Sequence, residues 1–200
     1  MSRASLATLR DTLRIVTQTD PNAYGGAYGL TTLLPLLPGR EDELEAHLLG
    51  LDPLASPLAV LPALHFSRAH VIRDLVYQGP PQVPETLQQS YLIFTASLDG
   101  KPEPLLRELA QRVERAQVDA IFGACRGYPG AADPAAFAAW VLAHKKDNGY
   151  VLTPWPGASV QDVQESLRVQ QGFGALVEQS RTLDDAALQA AFRALMAGGR

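Results

Sequence analysis

Between Tyr91 and Leu98 the side chains alternate along an unbroken run. Leu92, Phe94, Ala96 and Leu98 take one side; Tyr91, Ile93, Thr95 and Ser97 take the other. Successive strand residues point to opposite faces of a sheet, so this is a strand with one apolar face under helices and one mixed face. A chain built around it must supply more strands, and helices to cover one side of them.

Further segments meet that demand. Tyr28 to Leu37 is an aliphatic and β-branched run, with Pro35 hinting at an edge or a bulge. Leu64 to Ile72 is another strand, and Gly149 to Trp155 is expected to be the fourth. Leu6, Leu9, Leu13 and Val16 have helical spacing, so a helix is expected before the first strand. Pro38-Gly39 turns the chain into an acid-led helix that stops at Gly50. Asp99-Gly100 opens a long helix carrying Leu105, Leu109 and Val113. An inserted helix starts at the N-cap Asp133 with Pro134 behind it, and carries Phe137, Trp140 and Val141. Ser159 and Asp162 start another helix, and Thr182 with Asp185 a final one to about Met196. Leucines recur five and nine residues after both Gly39 and Gly100, a weak internal repeat. Two β-α-β halves would leave such a trace.

The reading is an α+β protein with a ferredoxin-like βαββαβ antiparallel sheet, in spatial order 4-1-3-2. Additional helices stand at the N-terminus, between the second core helix and the last strand, and at the C-terminus. One domain, 1–200, is expected, with the core at 24–157, the N-terminal helix within 1–23 and the C-terminal helices within 158–200.

Composition narrows the partners. Hydrophobic residues are 46% and charged residues 19% of the 200, which describes a globular chain. The net charge of −4, with bases interleaved among acids as in Arg107, Glu108, Arg112 and Glu114, argues against nucleic acid. Cys125 is the single cysteine, so neither an intrachain disulfide nor a cysteine-rich zinc site is expected. Charges at Asp11 and Arg14 interrupt any signal-peptide core, and no apolar run is long enough to span a bilayer. The cytoplasm is the default location, and the Ala, Leu, Pro and Arg bias suggests a GC-rich bacterial genome.

Leu64-His-Phe-Ser-Arg, Tyr91-Leu-Ile-Phe with Leu98-Asp-Gly, Cys125-Arg-Gly-Tyr-Pro-Gly and Tyr150-Val-Leu occur in that order. Over about residues 27–170 this resembles a group of poorly characterised bacterial ferredoxin-like domains with an HFxR strand, a DG turn and a CxGYPG turn. Where that pattern has a His before the Cys, this chain has Ala124. More distantly the layout resembles the dimeric α+β-barrel superfamily, whose members pair through open sheet faces and in several cases bind haem. Ala96-Ser-Leu-Asp99-Gly100 is a degenerate form of the G-x-x-D-G motif of its dye-decolorising peroxidases.

Four residues are candidates for ligand binding: His65, Arg68, His70 and Asp99. In a regular strand Arg68 shares a face with Phe66 and His70, and His65 shares the other with Ser67 and Ala69. His65 and Arg68 line one pocket only if a bulge intervenes. Each has a structural alternative, such as an ion pair of Arg68 with Asp74 or Glu85. Asp99 is either a haem-pocket acid or general base, or the N-cap of the following helix. His144 is either an axial haem ligand or a packed histidine at a helix C-terminus, and Trp155 reads as a hydrophobic plug. No metal-ligand spacing, P-loop or Gly-x-Ser-x-Gly elbow occurs. The expected function is small-molecule binding as a homodimer, the ligand being apolar or anionic. The site is expected on the open sheet face beneath the Pro-rich 79–84 connection. The alternatives are a haem or oxidative enzyme of the α+β-barrel kind, and a protein-interaction module.

Overall fold

The computed structural model describes residues 20–52 and 55–197. The helix expected at 6–17 lies outside the described residues. The chain divides after Gly157 into two compact units.

The first unit is a mixed α+β arrangement around a five-stranded antiparallel sheet. Its elements are β1 (Ala23–Tyr24), β2 (Ala27–Pro35), α1 (Glu41–Leu49), a 3₁₀ turn (Pro57–Val60), β3 (Leu64–Ile72), β4 (Tyr91–Asp99), α2 (Pro102–Arg112), α3 (Arg115–Phe122), α4 (Pro134–Ala143) and β5 (Lys145–Lys146). The order across the sheet is β1-β2-β4-β3, with β5 also pairing β2. β2 pairs β4 from Ala27↔Asp99 to Pro35↔Tyr91, and β3 pairs β4 from Ile72↔Tyr91 to Phe66↔Ser97. A register shift between Leu64 and Phe66 then places Leu64 opposite Leu98.

The alternation in β4 is what builds the core. Leu92, Phe94, Ala96 and Leu98 are buried, as are Leu30 and Leu34 on β2. Against them pack Leu105, Leu106 and Leu109 of α2, Val118 and Phe122 of α3, and Phe137 of α4. Phe122 meets Phe94 and Phe137 edge-on at 5.5 and 5.2 Å, and the chain of rings continues through Trp140 to Tyr128. Edge-to-face contact between aromatic quadrupoles adds about 1 kcal/mol per pair to the burial itself. Thr32, fully buried, donates its hydroxyl to the Phe94 carbonyl at 3.0 Å, so no polar atom there is stranded.

Several expectations are corrected. The fourth strand is not Gly149–Trp155, which has no strand structure; two residues before it, Lys145 and Lys146, pair Thr32 and Thr31. The long helix after Gly100 is two helices, because Val113 takes an extended backbone (φ −77°, ψ 141°) that ends α2. Asp99 is no helix cap: it is the last residue of β4, and Lys101 and Pro102 start α2. Trp155 is 72% exposed and plugs nothing. His144 caps the C-terminus of α4, its Nδ1 donating to the Trp140 carbonyl at 2.8 Å.

The second unit holds α5 (Val160–Gln179) and α6 (Asp185–Ala197). Ser159 and Asp162 form the expected reciprocal capping box at the start of α5. At α6 the cap is Asp184, whose carboxylate accepts from the Ala187 N–H, while Thr182 bonds back to the Gln179 carbonyl. No helix among the described residues is long and apolar enough to cross a membrane.

Candidate functional site on the open face of the sheet

The face of the sheet opposite the core carries the other half of each alternation. On β2 these are Gly29, Thr31 and Leu33; on β4, Ile93, Thr95 and Ser97; on β3, Phe66, Arg68 and His70. All are half-buried or exposed. Paired residues share a face, so the register sets them in rows. One row runs Phe66, Ser97, Gly29. The next runs Arg68, Thr95, Thr31, Lys146. The third runs His70, Ile93, Leu33.

The register shift in β3 decides where His65 goes. Leu64 pairs with Leu98 on the buried face and Phe66 with Ser97 on the open face, leaving His65 as the extra residue of a β-bulge. Its ring reaches Asp99, which is in phase with Ser97 and Thr95, and His65 Nε2 lies 2.7 Å from Asp99 Oδ1. The regular alternation that would set His65 beside Ser67 and Ala69 is therefore interrupted. All four candidates, His65, Arg68, His70 and Asp99, come to one face of the sheet. The His65 and Asp99 side chains are sheltered, at 26% and 25% exposure. With the carboxylate accepting from Nε2–H, Nδ1 is left as the basic nitrogen.

A groove of about 440 Å³ crosses this face. Its floor is Gly29, Thr31, Thr95 and Ser97, and its sides are Phe66 and the segment Asn148–Leu152. The four candidates flank the groove rather than line it. The expected 79–84 lid takes no part in it; the wall is 148–152.

That wall is fastened by asparagines. Asn22, completely buried, donates its side-chain amide to Asp20 at 3.1 Å and Asp147 at 3.0 Å, and its side-chain oxygen accepts from the Asn148 N–H at 2.8 Å. Asn148 in turn donates its side-chain amide to the Gly29 carbonyl at 2.7 Å. Gly29 is needed for the approach, because a Cβ there would lie 2.9 Å from both Asn148 Nδ2 and Val151 Cγ2. Asp147 is held below the ordinary carboxylate range by the Asn22 amide, with Lys145 nearby assisting.

Among the described residues Arg68 and Lys146 take part in no ion pair, and no group of His, Cys, Asp and Glu is arranged to hold a metal ion. The pairing of Arg68 with Asp74 does not form; Asp74 instead accepts the backbone N–H groups of Leu75 and Leu87. Cys125 is buried in the hydrophobic core, and desolvation pushes its thiol up to about 12. It is no nucleophile at neutral pH.

The sequence reading missed Thr31, Lys146 and the 148–152 wall. Alternation along β2 (Tyr28, Leu30, Thr32, Leu34 against Gly29, Thr31, Leu33) was the available signal for Thr31. Compared with protein-family models, curated proteins and solved structures, the chain matches none of them.

Proposed function

We propose that this protein binds a small amphipathic anion on the open face of its sheet: an apolar body against the wall of the groove and a carboxylate or phosphate head on the row that crosses its floor. The observation that carries this reading is the row Arg68, Thr95, Thr31, Lys146. Among the described residues these two cations have no ion-pair partner, and they flank two hydroxyls. With strands about 4.8 Å apart, the two cationic Cα positions are about 14 Å apart, and flexible side chains converge on one head group from either side. The apolar half is supplied by Phe66, Tyr150, Val151 and Leu152, within a volume suited to a ligand of moderate size.

The same reading takes the core as ferredoxin-like, with β5 standing for a fourth strand reduced to two residues. In support, β2, α1, β3, β4 and α2 follow one another as β-α-β-β-α, with β4 between β2 and β3. It takes the working form as a homodimer.

The test is thermal melting with alkyl carboxylates and alkyl phosphates of medium chain length. A ligand at a hundred times its Kd stabilises the native state by about 2.7 kcal/mol, an upward shift of several degrees. Arg68→Leu and Lys146→Gln should keep the melting temperature of the free protein and remove the ligand-induced shift. If either variant responds as the parent does, the row is scaffold and the reading is wrong.

A further inference from the structure

β3 is the last strand of its sheet, and its outer edge is bare. The direction of its backbone groups follows from bonds elsewhere in the sheet. Gly29 N–H donates to the Asn22 carbonyl and Leu33 N–H to the His144 carbonyl, so the odd-numbered residues of β2 turn their backbone groups away from β4. Asp99 N–H donates to the Ala63 carbonyl, so the odd-numbered residues of β4 turn theirs toward β3. Those residues pair with Phe66, Arg68, His70 and Ile72, which leaves Ser67, Ala69 and Val71 facing outward. Among the described residues nothing bonds to the outward N–H and carbonyl groups. A cavity of about 300 Å³ lies against the same stretch, on the core side of the sheet. Leu48, Leu51, Leu58, Ile121 and Phe122 line it, together with Ser67, Arg68 and Ala69 of β3. The Arg68 side chain is on the opposite face, so the cavity meets that residue at its backbone, along the bare edge.

We infer that β3 takes up an extended peptide as an additional antiparallel strand, an acidic–apolar–acidic segment whose apolar side chain fills the cavity. In strand addition the main chain supplies affinity, and pockets for alternate side chains supply selectivity. Both halves are present here. An added residue opposite Ala69 bonds to it through both backbone groups, shares its face, and hangs over the cavity. Its two neighbours lie opposite Arg68 and His70 on the open face. Arg68 takes part in no ion pair among the described residues, so a carboxylate there meets an unopposed guanidinium. The same side chains disfavour a second copy as the occupant. A two-fold axis at Arg68 or at Ala69 would set Arg68 against its own counterpart or against that of His70. Basic groups directly opposite one another weaken a strand pair, and charge on an edge strand is a common guard against self-pairing. Only Arg68 is common to this edge and the anion-binding row.

Fluorescence anisotropy on the full chain with the labelled peptide acetyl-Thr-Glu-Leu-Glu-Thr-amide tests this. The peptide should bind saturably. Methylating its leucine nitrogen removes a backbone donor, and replacing the leucine by alanine empties the cavity; each should weaken binding about tenfold. Lysine in place of both glutamates should abolish it. Amide exchange at Ser67, Ala69 and Val71 should slow when peptide is bound. Ala69→Pro should fold, because the N–H it removes points outward, and should no longer bind the peptide. Should that variant unfold, the N-methylated peptide decides alone. A parent that does not bind overturns the inference, as does equal binding of the methylated or the lysine peptide. So does a parent dimer that Ala69→Pro converts to monomer in light scattering, which would give the edge to a second copy. Ala69→Pro should keep the thermal shift produced by alkyl phosphates, and Lys146→Gln should keep peptide binding, so the two proposals fail separately.

Discussion

His65 and Asp99 are joined, Nε2 to Oδ1, at 2.7 Å across a β-bulge, and this contact accompanies the turn of the imidazole onto the face that carries Arg68. Both side chains retain some solvent, so the pair should contribute modestly, about 0.5–1 kcal/mol. Asp99→Asn and His65→Gln, with their double variant, form a cycle whose urea midpoints give the coupling. A coupling near zero would mean that the bulge holds its shape without the pair.

Asn22 should matter far more. It is wholly buried, and its side chain satisfies groups on both sides of a sequence separation of more than a hundred residues. Asn22→Ala leaves the Asn148 N–H without its acceptor, and should cost about 2–3 kcal/mol in a denaturant melt. Gly29→Ala attacks the same fastening from the other side and should lower stability while loosening the 148–152 wall, visible as faster amide exchange there.

The α5 capping box sets an acid limit for its helix. The Ser159 hydroxyl, then its backbone N–H, holds the Asp162 carboxyl below its ordinary value of 3.8. Since the folded value is the lower one, the stabilisation is complete above the unfolded value and disappears as pH falls through the folded one. The first turn of α5 should therefore fray on acidification below about pH 4. In Asp162→Asn, amide chemical shifts at Ser159 and Asp162 should lose this titration.

Cys125 offers a direct check on the core. With its thiol pushed up to about 12 by burial, it should resist a disulfide reagent at pH 8 in the native state and react fully in denaturant. Rapid reaction of the native protein would place Cys125 outside the core described here.

The parts of the fold that were legible in the sequence are those whose signal is local and periodic. Leu92, Phe94, Ala96 and Leu98 announced a half-covered strand, and all four are buried. Leu64 to Ile72 was bounded correctly, and Asp133-Pro134 and Ser159-Asp162 marked helix starts because capping is a short-range event. Gly149 to Trp155 misled because Tyr, Val, Leu and Thr suit a strand in the abstract. A strand needs a free ladder, however. Next to this segment the Gly29 carbonyl is taken by the Asn148 side chain, and Lys145 and Lys146 pair with Thr32 and Thr31. The position of His65 was hidden for a different reason: one extra residue in a bulge changes no composition, yet reverses the facing of every residue before it. The contacts of Asn22 were hidden by sequence distance alone.

The two tryptophans stand in opposite surroundings. Trp140 lies in the ring cluster with Phe122, Phe137 and Tyr128, whereas Trp155 is largely open to solvent beyond the wall of the groove. Their fluorescence should therefore separate into two populations. Acrylamide should quench the Trp155 emission more strongly than that of the half-buried Trp140, and Trp155→Phe should leave a single blue-shifted band. In that variant the remaining indole becomes an intrinsic optical gauge of core melting, free of interference from the ligand-facing side of the molecule.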